Sequence, residues 1–245
     1  MSAGTFTLNP GPPTPGLEAG NFAGTQVPGT LGGLTTPVAS LVGDLATFIR
    51  AADSTTIRSA YMRACREFCA RSRWLKRNIT NTALTINQPV YNFGTDPNLE
   101  VIGVSAAAIQ QQNLTWVGLR STSQDTADPN QAPDLPNWFM YLDEGMIRFY
   151  PTPNLAYLSN VNLIVQTSLN GTAVPNDLIA KWNREIEFGA LAFLYDMPKE
   201  EWSDPVKAGE ARIKFIEGWA AAKSWVDKGY QQGSVRATPR PFLSR

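Results

Sequence analysis

Two amphipathic helical patterns in the last third of the chain, joined by a short polar break, constrain the fold more than any other feature. In each pattern apolar residues recur every three or four positions, which is typical of a helix with one buried face. The first comprises Ile179, Trp182, Ile186, Gly189, Ala190, Phe193 and Met197. The second comprises Ala208, Ala211, Phe215, Trp219, Ala222 and Val226. Each helix is therefore expected to bury one apolar face against a partner.

The sequence also marks the ends of these two helices. Pro198 ends the first, while Asp204 and Pro205 predict the N-cap and the first residue of the second. Because the break is short, we expect the helices to fold back on each other as a hairpin within residues 170–230, with the small residues at 189–190 allowing close approach. The predicted frame of this hairpin consists of Trp182, Ile186, Phe215 and Trp219.

Two more helices are predicted near the start of the chain. Apolar spacing indicates a short helix within residues 40–52, and Asp53 would cap a longer one that covers roughly residues 55–76. The densest basic cluster of the chain lies on this longer helix: Arg58, Arg63, Arg66, Arg71, Arg73, Lys76 and Arg77. Phosphate contact is one interpretation. Because stacking aromatics and a known nucleic-acid motif are both missing, a solvated or subunit-pairing face is the favoured one.

Short apolar runs broken by turn residues indicate strands between about residues 81 and 167. The clearest hairpin joins strands at 138–142 and 146–150 through a turn of Asp143, Glu144 and Gly145. A further strand is predicted at 161–167, and residues 120–137 form a long, polar, proline-broken loop of the kind that contacts partners.

This order of elements predicts an α+β fold, in which a bundle of about four helices carries an inserted antiparallel sheet or sandwich domain. The expected divisions are an extended Gly/Pro-rich arm, a first helical part, the β domain, a second helical part and an extended C-terminal tail. They span residues 1–37, 38–80, 81–169, 170–230 and 231–245.

The two ends of the chain are predicted to be interaction segments. The N-terminal arm has too few large apolar residues to form a core of its own, so we expect it to contact a neighbouring subunit. The tail contains three arginines, no acidic residue and two prolines that prevent regular structure, and it is interpreted as a peptide for a groove on another protein. A frayed terminus is the alternative. The tail residues concerned are Arg236, Pro239, Arg240, Pro241, Phe242, Leu243 and Arg245.

Composition excludes several classes of function. The chain contains no histidine, which removes Ser-His-Asp and Cys-His catalysis and the common imidazole metal sites. Its 21 basic and 21 acidic residues balance, which argues against sequence-specific nucleic-acid binding. Cys65 and Cys69 are interpreted as small buried residues, because one helical turn is poorly suited to a disulfide. We expect no metal, no cofactor, no secretory signal and no membrane span.

Acidic pairs and tryptophans leave carbohydrate binding or hydrolysis as an alternative. The pairs are Asp143 with Glu144, Glu185 with Glu187, and Glu200 with Glu201. A glycosidase needs two carboxylates that face each other across a cleft. Here the pairs are expected in a turn, on an exposed helix face and in a helix connection, where solvation explains them. Catalysis is therefore not expected.

Taken together, the parts of the chain resemble a known family from about residue 40 to the C-terminus. The most specific segments are RFYPTP at 148–153, EFGAL at 187–191 and PKEEWSDP at 198–205. In their order and spacing, and with REFCARSRWLK at the end of the second helix and a basic tail, they resemble the head-to-tail adaptor proteins of short-tailed bacteriophages, the tail tubular protein A-like connectors.

The resemblance implies a structural component of the virion neck, made in the cytoplasm of a bacterial host. Twelve copies would form a ring beneath the portal protein, line the channel through which DNA leaves without sequence-specific contacts, and provide a platform for the tail nozzle protein. It also implies no enzymatic activity, and it makes residues 236–245 the candidate portal-binding peptide. A different neck protein, such as a stopper or a nozzle subunit, stays open as an alternative, and position relative to the portal would separate these.

Overall fold

The computed structural model describes residues 35–49, 51–94, 96–122 and 131–228. Within these residues, four helices flank a set of mostly antiparallel strands, which confirms the α+β class. The helices are α1 (Val38–Phe48), α2 (Ser54–Ser72), α3 (Asn176–Tyr195) and α4 (Pro205–Asp227). Two of them precede the main strands and two follow, so the predicted insertion of the sheet between helical pairs is correct.

The α3–α4 hairpin forms as its sequence signals indicate. The Asp204 carboxylate accepts hydrogen bonds from the backbone amides of Val206 and Lys207 at 3.2 and 3.1 Å, and Pro205 occupies the first position of α4. These amide donors, together with the Lys207 ammonium, lower the pKa of Asp204. Gly189 allows the close approach, because a Cβ atom placed there would lie 2.7 Å from the Phe215 ring.

The predicted end of α2 is wrong by one helical turn. The helix stops at Ser72, where Arg73 adopts a left-handed conformation (φ 53°) and its amide donates to the Cys69 carbonyl at 2.9 Å. Leu75 is buried beyond the helix, and Lys76 already belongs to a strand. Pairing in a sheet competes here with continuation of the helix. The segment that starts at Lys76 pairs with a strand more than 70 residues away, so the sequence near the helix end does not reveal this competition. Helix α1 both begins and ends earlier than predicted, since it covers Val38–Phe48 and the expected range was 40–52.

Ten strands form three sheets within the described residues. The strands are β1 (Thr35–Pro37), β2 (Lys76–Leu84), β3 (Val90–Asn92), β4 (Leu99–Gln110), β5 (Trp116–Gly118), β6 (Arg120–Ser121), β7 (Trp138–Tyr141), β8 (Met146–Tyr150), β9 (Tyr157–Thr167) and β10 (Ala173–Pro175). The larger sheets have the orders β2-β9-β4-β5 and β3-β8-β7-β6, and β1 pairs with β10. All pairings are antiparallel except that of β6 with β7.

The predicted β7–β8 hairpin is confirmed. Glu144 and Gly145 both have positive φ angles, 48° and 84°, and the Met146 amide donates to the Asp143 carbonyl at 2.7 Å. Two central residues with positive φ are typical of a type I′ turn, whose twist matches that of the flanking strands. A Cβ atom at position 145 would also lie only 2.7 Å from the backbone of Gly94, so glycine is required there twice.

Helix α2 lies at the centre of the molecule. It packs on β9 of the first large sheet and also against α3 and α4. Its Phe68 is fully buried, with ring centroids 5.6 Å from Trp182 of α3 and 6.3 Å from Phe215 of α4. The helical layer and the sheet therefore share one continuous apolar core, and α2 joins them.

Candidate functional site

Three of the four predicted frame residues are core residues. Trp182, Ile186 and Phe215 are buried, and the rings of Trp182 and Phe215 contact Phe68. Trp219 is half-buried beside an open groove. A buried aromatic cluster of this kind constrains the angle between helices. Most of the frame is therefore core packing, and Phe215 and Trp219 also border the groove.

Lys181 is held by three tryptophans from different parts of the chain. Its Nζ atom lies 3.4 Å from the ring centroid of Trp225, 4.8 Å from that of Trp74 and 5.6 Å from that of Trp182. Cation–π attraction of this geometry favours one position of the ammonium group. Because Trp225 lies in the last turn of α4, the contact ties the end of that helix to α3 and to the segment after α2. Sequence reasoning missed this cluster because Trp74 and Trp225 are distant from Lys181 in the sequence.

Three of the basic residues on α2 and β2 bind partners on other elements of the chain, which corrects part of the predicted solvated or subunit-pairing face. Arg66 forms an ion pair with Glu100 at 2.8 Å, and Arg77 forms one with Asp96 at 3.2 Å. The Arg58 guanidinium donates to the Gly171 carbonyl at 3.0 Å. These three side chains dock α2 and β2 onto neighbouring loops and strands. The exposed positions that fit the prediction are Arg63, Arg71 and Arg73.

A polar cleft of about 690 Å³ lies between α2, β4 and the β7–β8 turn. Glu100 lines the cleft and has two partners. It forms an ion pair with Arg66, and its carboxylate accepts a hydrogen bond from the Gln166 amide at 2.9 Å. Asp143 and Glu144 lie exposed at its rim, in agreement with the predicted solvated turn. Among the described residues that line the cleft, Glu100 is paired, and Asp143 and Glu144 are neighbours in one turn. These residues do not supply two free carboxylates on opposite sides of the cleft, which general acid–base hydrolysis of a sugar requires.

The Glu185–Glu187 pair is less exposed than predicted. Both side chains are half-buried, and Glu185 lies against Gly218 of α4. The Tyr61 hydroxyl donates to Asn183 Oδ1 at 2.7 Å, and Asn183 Nδ2 donates to Glu187 Oε1 at 2.5 Å. Desolvation raises the pKa of Glu187, and the nearby Asp44 and Glu185 carboxylates add to this effect, while Asn183 and Arg184 oppose it.

This raised pKa predicts a pH-dependent effect of Glu187→Gln. A carboxyl whose pKa is higher in the folded chain contributes stability below its unfolded pKa and loses that contribution as pH rises through the folded pKa. The variant keeps an acceptor for Asn183 but carries no charge. We therefore expect it to be about 0.5 kcal/mol more stable than the parent at neutral pH, an amount limited by solvent screening, with the difference vanishing near pH 4.

Urea unfolding at the two pH values would measure this difference. Glu200, exposed in the connection between α3 and α4, provides the control when it is replaced by Gln. A Glu187→Gln effect of the same size at both pH values would contradict the expectation, because a shape or packing effect does not titrate.

Cys65 and Cys69 are buried free thiols on α2, as predicted. Burial raises the pKa of both, that of Cys69 to about 12, so neither forms a thiolate at neutral pH. Among the described residues there is no group of three or more potential metal ligands. In that same part of the chain, every helix is too short or too polar to cross a bilayer.

The predicted portal-binding residues lie outside the described residues, which end at Lys228 just beyond α4. Most of the predicted N-terminal arm, residues 1–34, also lies outside them. Residues 35–37 form β1 and pair with β10, immediately before α3.

A comparison with protein-family models identifies the family to which this helical frame with its inserted sheet belongs. The family model described as SU10 adaptor protein matches residues 30–237, which include all of the described helices and strands. The chain belongs to the SU10 adaptor protein family. It is thus a phage adaptor of the head-to-tail type, a structural component of the virion neck, and the resemblance found in the sequence is confirmed at that level.

The family match leaves out both ends of this SU10 adaptor protein. The match begins at residue 30, inside the N-terminal arm, and ends one residue after Arg236, so residues 238–245 lie beyond it. Membership of a structural adaptor family agrees with a non-enzymatic role. No curated protein matches the chain.

Proposed function

We propose that this SU10 adaptor protein is a ring-forming subunit of the tail tubular protein A-like kind, docked beneath the portal of a short-tailed phage. The observation that carries the proposal is the family match over the helical frame and the inserted sheet together. Twelve copies would form the ring and present a docking platform to the tail nozzle protein.

The charge of the chain is compatible with a subunit that lines a DNA channel. A ring that lines a DNA channel has to let phosphates pass, and a strongly basic lining would retain them. The chain has no net charge, and two arginines next to its sheet are paired with carboxylates, Arg66 with Glu100 and Arg77 with Asp96. These two ion pairs reduce the number of free cations that could hold the genome.

The C-terminal tail is our candidate for portal docking. Residues 231–245 carry three arginines and no acidic residue, with Phe242 and Leu243 as apolar anchors. The tail follows α4, whose last turn is held by the Lys181–Trp225 contact at 3.4 Å. A segment of this composition can cover a large partner surface when it becomes ordered on docking. The N-terminal arm is proposed to contact a neighbouring subunit or ring.

Imaging of assembled virion necks at side-chain resolution tests the proposed position. We expect a ring of this chain between portal and nozzle, with α4 directed so that residue 228 faces the portal. Density for the chain in the nozzle, or in a plug that closes the channel, would assign it to another neck component and contradict the proposal.

Deletion of residues 231–245 should separate folding from docking. The truncated chain keeps α4 and the whole described core, so we expect the same thermal unfolding midpoint as the full chain. Its affinity for assembled portal protein should fall by at least about 100-fold. A full-length chain with the three tail arginines replaced by Ser keeps the length and removes only charge, and its affinity should fall between the two. Unchanged docking by the truncated chain would remove the tail from the mechanism.

A further inference from the structure

The tip of the β4–β5 hairpin holds an apolar residue, Leu114, in a backbone conformation that such residues rarely adopt. Leu114 has a φ angle of 65° and is 74% exposed. Its backbone is held in a tight turn, because the Leu114 amide donates to the Gln111 carbonyl and the Gln111 amide donates to the Thr115 carbonyl, both at 2.9 Å. Glycine or asparagine is usual in this left-handed conformation, and a branched apolar residue is strained there. The described residues do not bury the Leu114 side chain, so burial within the subunit does not offset this strain. A contact with another molecule would explain an apolar residue at this position.

The rest of the tip is uncharged, and it combines polar residues at 110–113 and 115 with two further apolar ones. Trp116 and Val117 are exposed, and their strand β5 lies at the edge of its sheet. No charged residue occurs from Val101 to Leu119. Edge strands of isolated proteins normally carry charges or prolines that discourage pairing with other chains. This edge lacks those protections, so we expect it to be covered when the protein is assembled.

Helix α4 carries a second apolar face. Its buried face, including Ala208, Ala211 and Phe215, packs on α2 and α3. Ile213 and Ile216 lie on a different side, three residues apart, and are 60% and 44% exposed. Val206, seven residues before Ile213, continues this exposed line along the helix. A helix with apolar residues on two faces is typical of a helix buried on two sides.

Ile216 also borders a groove of about 360 Å³ between α2, α3 and α4, which we call the α4 groove. Its apolar lining includes Phe193, Phe215, Ile216 and Trp219. The charged groups at its rim have partners of their own: Arg212 lies 3.6 Å from Asp196, and Arg71 lies 3.9 Å from Glu67. An uncharged apolar insert would therefore enter without leaving a buried charge unpaired, whereas an arginine-rich segment would bring unmatched charges.

We propose that the β4–β5 hairpin tip of one copy inserts Leu114 and Trp116 into the α4 groove of the next copy. The inference rests on the proposed ring and adds its subunit contact. The tip and the groove are electrostatically compatible. The tip carries no charged residue, and the charged residues at the rim of the groove already form ion pairs within the subunit. They belong to different layers of the subunit, because β5 extends the sheet that contacts α2 through β9, while α4 belongs to the helical layer. Two different surfaces meeting head to tail produce a heterologous contact, which closes into a ring when the rotation permits.

Leu114→Asn gives a direct test of this contact. Asparagine tolerates the left-handed conformation and removes the apolar side chain, so we expect unchanged or higher stability of the single subunit and at least about tenfold weaker self-association. Ile86→Asn, at an exposed turn between β2 and β3, is the matched control and should associate like the parent. Association of the Leu114→Asn variant at parental strength, measured by sedimentation, would overturn the proposal.

Photo-crosslinking identifies the occupant of the groove. An Ile216→Cys variant of the full chain is labelled with a photoreactive maleimide, which the buried Cys65 and Cys69 do not consume, and is mixed with isotope-labelled parent chain. We expect adducts on residues 111–117 of the isotope-labelled copy. Adducts on residues 1–34 or 231–245 would overturn the proposal by assigning the groove to an arm or tail. Oligomers without adducts on the tip would overturn it and leave the proposed ring intact, whereas a chain that stays monomeric even with portal protein would contradict the ring itself.

Discussion

Replacing Phe68 by alanine is expected to lower the free energy of unfolding by about 3–5 kcal/mol, the largest effect of any single truncation that we consider. The Phe68 ring is fully buried on α2 and contacts Trp182 of α3 and Phe215 of α4, with centroids 5.6 and 6.3 Å apart. The substitution removes apolar contacts to both helices and leaves a cavity that rigid neighbours cannot fill. Urea denaturation of purified protein would measure the loss.

Phe48 supplies the matched control for this substitution. It lies at the end of α1 and is 65% exposed, so Phe48→Ala should change the free energy of unfolding by no more than about 0.5 kcal/mol. Similar effects of Phe68→Ala and Phe48→Ala would show that the packing of Phe68 against α3 and α4 is not a main source of stability.

Replacing Gly189 by leucine is expected to cost about 3 kcal/mol or more of folding stability. A Cβ atom at this position would lie 2.7 Å from two carbons of the Phe215 ring and 3.0 Å from the Ala64 Cβ, and leucine adds three further carbons. The helices would have to separate, and the overpacking exceeds the gain of about 1 kcal/mol in helix propensity over glycine. Differential scanning calorimetry should show a lower unfolding midpoint.

The same substitution at Gly209 serves as the control. This glycine is exposed on α4, and a Cβ atom there would have no neighbour within 4 Å. Gly209→Leu should therefore stabilise the protein by about 0.5–1 kcal/mol through helix propensity alone. Equal destabilisation by both substitutions would show that the close packing of α3 on α4 is not the reason for glycine at position 189.

Several features of the fold could be predicted because their signals are local. Asp204 and Pro205 mark the start of α4, and Asp143 to Gly145 form the predicted turn. The apolar spacing of α3 identified residues that are buried, including Trp182 and Ile186. Each signal depends on residues within one or two turns of the chain, where propensity and hydrogen bonding act directly.

Other features could not be predicted because distant segments determine them. The end of α2 at Ser72 depends on the pairing of β2 with β9, in which Lys76 lies opposite Ile164. The partners of Lys181 come from three segments, and those of Arg66 and Arg77 from loops and strands whose positions follow from the sheet register. The half-burial of Glu187 likewise depends on how α2 and α1 approach α3.

The sequence by itself determined the class of this SU10 adaptor protein, the order of its helices and strands, the hairpin of α3 and α4, and its family resemblance, because these depend on local pattern and on the order of motifs. Only the tertiary structure decided which basic residues are paired, and which apolar residues stay exposed. Leu114 and Ile216 are apolar residues whose exposure cannot be read from the sequence, and both lie on the surface. The physical reason is that exposure depends on how separate elements pack, and periodicity within one element cannot report whether a second apolar face has a partner.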